Sequence, residues 1–334
     1  MKIKLASWKA SLLSIAGRVQ FVKSVIQSMF THTMSVFSWP TSLLREIEKW
    51  IKNFIWIGDI NKRKLVTVAW KKVCVDTEEG GLGIRSLICL NQATNLRLCW
   101  ELLNSEEQWA EILRSRAIRG NSCIQHHIFS SIWSGAKNQF NIVKENTTWI
   151  IGNGKSINFS KDQWSGEPII QTLHLNTSQI QNYPQMLCDF IQNDQWSIPT
   201  EVMQEFPLIR LLTSQVIIPV QINIDKLVWK HNGNGMLTLK DAYNFKKNHF
   251  PKLPWAKIIW SKDIPPSKSL LVWRVILNKL PNDDNLKNRG CCLPSMCTLC
   301  RRHEESIFHT FFECSYAANL WNWFADAINR RLVF

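Results

Sequence analysis

Between Cys297 and Cys314 the chain spaces three cysteines and one histidine as Cys297-x2-Cys300-x8-His309-x4-Cys314, a pattern that restricts the local fold more than any other feature present. A gap of two lets a tight turn aim both Cys297 and Cys300 at one ion, and the gap of four lets a short helix or turn deliver His309 and Cys314 together. That donor set suits tetrahedral zinc. Three thiolates outweigh a divalent cation by one unit of charge, and Arg301 and Arg302 sit beside the ligands where they can offset the excess. Four protein ligands fill the coordination shell and leave no position for an activated water. One structural zinc ion is therefore expected, contributing folding energy and no hydrolysis. His303, Cys291 and Cys292 are close enough to replace a ligand; His309 is preferred because only two residues separate His303 from Cys300.

The terminus Met1-Lys2-Ile3-Lys4 leads into Leu5-Ala6-Ser7-Trp8 without an apolar signal core, so secretion is not expected and a nuclear or cytoplasmic setting is left open. The uncharged stretch from Ser24 to Leu44 is interrupted by Gln27, His32, Pro40 and eight Ser or Thr residues, and no membrane segment is assigned. Cysteines then read as thiols or metal ligands; Cys74, Cys89, Cys99, Cys123 and Cys188, scattered singly, read as core thiols.

With 45% hydrophobic and 20% charged residues in 334, the chain can bury a core, which excludes wholly disordered, collagen-like and coiled-coil classes. Forty Lys and Arg against 26 Asp and Glu leave a net charge of +14. Residues 1–120 hold 18 basic and 10 acidic groups, 121–250 hold 10 and 9, and 251–334 hold 12 and 7. Basic ends favour partners that carry phosphate, because each cation on a nucleic-acid backbone releases counterions.

Apolar residues Trp8, Leu12, Ile15, Val19, Val22 and Ile26 step by four and three and predict a helix with one buried stripe. Pro40-Thr41-Ser42 starts a second, with Leu44, Ile47, Ile51 and Phe54 inward and Gly58 as its stop. Val66, Val68 and Trp70 alternate as a short strand, Gly80-Gly81-Leu82-Gly83 reads as a turn, and a third helix is expected from Ser86 to Leu103. Gly152-Asn153-Gly154 predicts a tight hairpin joining Trp149–Ile151 to Ser156–Phe159, and Asn232-Gly233-Asn234-Gly235 a similar one between Val228–Lys230 and Met236–Leu239. Beyond Pro265-Pro266 the pattern turns helical, with Asn282 or Asp283 capping the helix that carries Leu286. A closing helix from Tyr316 to Leu332 is expected to bury Leu320, Trp323, Phe324 and Ile328. The fold class is α+β, mainly helical, in three segments: helical 1–110, connecting 111–224 with a β-hairpin, and 225–334 around the metal ligands.

The succession Ile259-Trp260, Pro265-Pro266-Ser267-Lys268, Trp273, Leu280-Pro281, Arg289-Gly290, Cys297-Thr298-Leu299-Cys300, Glu304-Glu305-Ser306, His309, Phe311-Phe312-Glu313-Cys314 and Trp321 resembles the reverse transcriptase zinc-binding domain of plant LINE-type, non-LTR retrotransposons. Trp229, Gly235 and Asp241-Ala242-Tyr243 fit its beginning. Residues 1–103 resemble the thumb-like segment after the polymerase palm, through Leu5, Trp8, Leu13-Ser14, Ala16-Gly17-Arg18, Lys23-Ser24-Val25, Met34-Ser35-Val36-Phe37, Pro40, Phe54-Ile55-Trp56, Trp70, Val73-Cys74 and Gly80-Gly81-Leu82-Gly83-Ile84. Trp149, Ile151-Gly152-Asn153-Gly154 and Asp162-Gln163-Trp164 match the connecting region.

The resemblance implies an RNA-directed DNA polymerase family, yet this chain has no aromatic-Ala-Asp-Asp motif to hold two catalytic metal ions. Its adjacent pair, Asp283-Asp284, reads as a helix start. In the family picture the palm and endonuclease would lie before Met1, and the ribonuclease H domain that often follows the zinc segment is expected to be absent because the chain stops at Phe334, so no catalytic residue is assigned. What the resemblance leaves is nucleic-acid contact, to RNA or DNA, with no small-molecule substrate. Lys9, Arg18, Lys23, Lys62, Arg63, Lys64, Lys71, Lys72, Arg301 and Arg302 are the candidate phosphate contacts. Most of the 17 tryptophans read as core. The alternative is a zinc-stabilised protein-interaction module with an incidental basic surface.

Overall fold

A computed structural model describes residues 12–35, 37–61, 68–120, 122–124, 126, 128–176, 184–193, 195–218 and 224–331. The expected class holds: helices dominate, and the strands are short antiparallel pairs. Among the described residues no helix is long and apolar enough to cross a membrane. The chain packs as two units that are discontinuous in sequence. The first gathers 1–29, 42–86 and 248–334, the second 30–41 and 87–247, so residues 87–110 and 225–247 both belong to the second.

In the first unit Ser14 caps the helix Ile15–Phe21 by accepting the Gly17 N–H at 3.1 Å. A π-turn, Val22–Ile26, follows and leads into Gln27–Met34. Val19, Val22 and Ile26 form the buried stripe, whereas Leu12 is 77% exposed because it precedes the cap; Trp8 lies outside the described residues. Helix Thr41–Ile57 runs as its periodicity requires, burying Leu44, Ile47, Ile51 and Phe54, and ends at Gly58, whose φ of 79° suits a left-handed C-terminal stop.

The strand expected at Val66, Val68 and Trp70 is overturned where it can be seen. Trp70–Val73 is a single helical turn after Ala69, with the Lys72 and Val73 N–H groups on the Ala69 carbonyl. Local alternation without a neighbouring strand to pair with is satisfied equally by burying Val68 and Val73 on one side of a turn. Val66 lies outside the described residues. At the glycine turn the requirement is steric: a Cβ on Gly81 would lie 2.0 Å from the Val75 carbonyl oxygen. Trp273, buried in helix Pro266–Ile276, donates its indole N–H to the Gly80 carbonyl at 2.9 Å.

The second unit is built around helix Leu87–Asn104, against which Ser131–Lys137 and Leu239–Lys246 pack. Leu90, Leu96 and Trp100 are buried on it together with Asn91, whose side-chain amide bonds the Trp39 backbone N–H and C=O at 3.0 and 3.1 Å.

Both predicted hairpins are corrected. Strand Thr147–Ile150 pairs antiparallel with Lys226–Trp229, from Thr147 opposite Trp229 to Ile150 opposite Lys226, and not with residues 156–159. The cause is Asp225. Its buried carboxylate accepts the backbone N–H groups of Gly152 and Gly154 at 2.8 and 2.9 Å and of Ser156 at 2.8 Å, folding the loop around an anion instead of closing it as a strand reversal. In the later segment Trp229 N–H does reach Gly235 C=O at 2.7 Å, but Thr238 then caps Leu239–Lys246 in a reciprocal box with Asp241, so Leu239 is helical.

Candidate metal centre

One donor atom from each of Cys297, Cys300, His309 and Cys314 lies within 4.8 Å of the other three. Local geometry explains how. Cys297 N–H bonds the His303 carbonyl at 2.8 Å and Arg301 N–H bonds the Cys297 carbonyl at 2.9 Å, closing a turn that Arg301 completes with φ of 52°. Ser306 accepts the His309 N–H at 3.0 Å, at the start of the turn His309–Glu313. Cys314 N–H then bonds the His309 carbonyl at 2.7 Å, holding the second pair together.

The spacing fits an ion. Tetrahedral bonds of about 2.3 Å to sulfur and 2.0–2.1 Å to nitrogen set donors about 3.8 Å apart for two sulfurs and about 3.6 Å for a sulfur and a nitrogen. Cys297 Sγ and Cys314 Sγ are 4.0 Å apart, and Cys300 Sγ is 3.2 Å from His309 Nε2. The sulfur separation is far beyond the roughly 2.05 Å of a disulfide. Donation from the Arg302 backbone, joined by His303, His309 and Cys297, holds the Cys300 thiol down to about 5 against the opposing effect of burial. A thiolate ligand is thus ready at neutral pH.

Cys297, His309 and Cys314 are buried and Cys300 is half-buried, while Cys291, Cys292 and His303 are exposed; the His303 ring flanks His309 at 5.1 Å between centroids. Around the donors the apolar support is small: Ala317 is buried against Cys297 and Cys314, and Trp321 packs on them partly buried. Trp321 stacks on Phe312 at 6.3 Å and donates to the Phe311 carbonyl at 2.7 Å.

The closing helix is Ser315–Ala327, and its inward face differs from the expected one. Leu320 and Trp323 are 62% and 66% exposed, and Phe324 and Ile328 are also exposed. Cys314, Ala317 and Trp321, at steps of three and four, are pinned by the donor cluster and set the helix rotation, turning the larger apolar stripe outward.

The basic candidates are placed unequally. Lys9, Lys62, Arg63 and Lys64 lie outside the described residues. Arg18 directs its guanidinium into the protein, donating to the carbonyls of Leu13, Phe54 and Ile55 at 3.1, 3.3 and 2.9 Å, where it closes the end of helix Thr41–Ile57. Lys71, Lys72, Arg301 and Arg302 are exposed, and Lys23 is half-buried. Of the single cysteines, Cys99 is fully buried and its thiol is pushed up to about 12 by that burial; Cys74, Cys89, Cys123 and Cys188 are half-buried. Asp225 was missed because an isolated carboxylate carries no spacing signal; its partners come from 69 to 73 residues away.

Residues 237–321 match the family described as zinc-binding in reverse transcriptase. The resemblance to that domain is thereby borne out. A protein of Arabidopsis thaliana named "Putative ribonuclease H protein" is 25% identical over 95% of this chain and 53% of its own length. An "Uncharacterized mitochondrial protein" of Arabidopsis thaliana is 27% identical over 40% of this chain and 90% of its own length. The chain spans about half the length of the first of these relatives.

Proposed function

We propose that the chain is the nucleic-acid-holding, non-catalytic part of a non-LTR, LINE-type retrotransposon reverse transcriptase, stabilised by one zinc ion on Cys297, Cys300, His309 and Cys314. Zinc here supplies cross-linking: four side chains from two short turns are tied together in a segment whose apolar support is Ala317 and Trp321. By chain order the parts are a thumb-like 1–110, a connection 111–224 and a zinc-binding domain 225–334.

The observation that carries the nucleic-acid reading is where the charge sits. The first unit holds 26 Lys and Arg against 13 Asp and Glu, the second 14 against 13, so nearly all of the excess of +14 belongs to the unit containing the donor cluster. Arg301 and Arg302 project from the metal turn, and Lys71 and Lys72 from the turn Trp70–Val73. Phosphate diesters are the ligand such a distribution suits.

A protein-docking role has one observation in its favour, the exposed Tyr316, Leu320 and Trp323 on the closing helix. Binding to a short RNA or DNA strand, measured across a salt series, separates the two. Phosphate contact predicts affinity that falls steeply with salt and, for a single strand, a slope that drops by about 0.7 for each cation removed, beginning with Arg301→Gln. A salt-independent affinity, or none, overturns the proposal. Primer extension by the full chain is expected to give no product.

A further inference from the structure

The first unit contains a cavity of ≈ 630 Å³ whose polar lining is Ser14, Gln20, Lys23, Thr77 and Ser267 and whose aromatic wall is Trp260. Cavities of this size hold a molecule as large as a nucleotide. Among the described residues that line it, Lys23 is the one cation and none is a carboxylate. Burial pushes the Lys23 amine below its ordinary value. Opposite the amine is Gly83, where an added Cβ would sit 3.4 Å from Nζ, so the glycine leaves the ammonium room.

At the rim helix Pro266–Ile276 begins. The Pro265 carbonyl takes the Lys268 and Ser269 N–H groups, and Pro266 has none; among the described residues the Ser267 N–H of the first turn has no backbone partner. A cation, the hydroxyl-bearing Ser14, Thr77 and Ser267, the amide of Gln20 and the indole of Trp260 thus line one cavity, which offers donors to an anion and an aromatic surface to a ring.

We infer that this cavity receives one nucleotide of a single strand, its phosphate on Lys23 and its base against Trp260. The inference rests on the nucleic-acid reading above and narrows it: Lys23 acts in a half-open nucleotide cavity, apart from the exposed cations. Base stacking on an aromatic wall is sequence-tolerant, so the site selects unpaired strand without selecting a base.

The test uses the full chain with three probes, inorganic phosphate, thymidine monophosphate and a short oligothymidine, measured calorimetrically. The monophosphate should bind more tightly than phosphate alone. Lys23→Gln should weaken it by at least about tenfold, the loss of one charge-assisted contact, while Lys155→Gln, at an exposed cation of the second unit, leaves it unchanged. Lys23→Arg should retain it, and an unaltered thermal midpoint keeps a folding defect from mimicking the result. Monophosphate binding equal to phosphate, or unchanged in Lys23→Gln, overturns the inference. Oligothymidine binding with a steep salt slope alongside such a result would leave the basic-surface reading intact; no oligothymidine binding alongside a Lys23-dependent monophosphate would make the ligand a free nucleotide and sink that reading instead.

Discussion

At the scale of single residues, the Asp225 carboxylate is the most exacting group outside the metal cluster, because three backbone N–H donors depend on it. Asp225→Ala should lower the stability of the second unit by about 3 kcal/mol, the range for stranding buried donors that a charged acceptor served. Asp225→Asn should be nearly as damaging, since its NH2 would face one of those N–H groups. Urea unfolding, with hydrogen exchange at residues 152–156 as the local readout, checks both; exchange as slow as in the native protein would show that the loop does not depend on the carboxylate.

At the scale of elements, the closing helix offers two tryptophans with opposite fates. Trp321→Ala removes the stack on Phe312 and the bond to the Phe311 carbonyl and should cost about 2 kcal/mol or more. Trp323→Ser, on the exposed stripe, should stay within about 0.5 kcal/mol. Equal losses in thermal unfolding would mean that the helix is rotated differently. Elements were legible where their own residues decide them. Thr41–Ile57 could be bounded from the Pro40-Thr41-Ser42 start, the stripe and Gly58, and Leu87–Asn104 came within a residue of its expected ends. The metal donors were equally local, since their convergence follows from short gaps. What escaped was set from afar. The partner of Thr147–Ile150 arrives from Lys226–Trp229, selected by a carboxylate that no spacing rule flags, and the rotation of the last helix is imposed by Cys314 and Trp321 against the larger apolar stripe.

At the scale of the whole molecule, one unit is strongly basic and the other nearly neutral. For the full chain, log affinity for a single strand should fall linearly with log salt, losing about 0.7 in slope for each phosphate contact removed. Variants at Arg301, Arg302, Lys71 and Lys72 should each reduce that slope, whereas Lys144→Gln in the second unit should not; an equal effect from Lys144 would show that charge placement does not direct binding. Under the proposed function, a zinc ion on Cys297, Cys300, His309 and Cys314 holds the end of the first unit together. The most direct measurement is therefore the zinc content of the intact chain by native mass spectrometry, beside that of a Cys297→Ser, Cys300→Ser variant. One zinc per native chain, and none in the variant together with loss of protected structure over residues 291–327, is the predicted result. Equal zinc in both proteins, or a native fold without zinc, would contradict it.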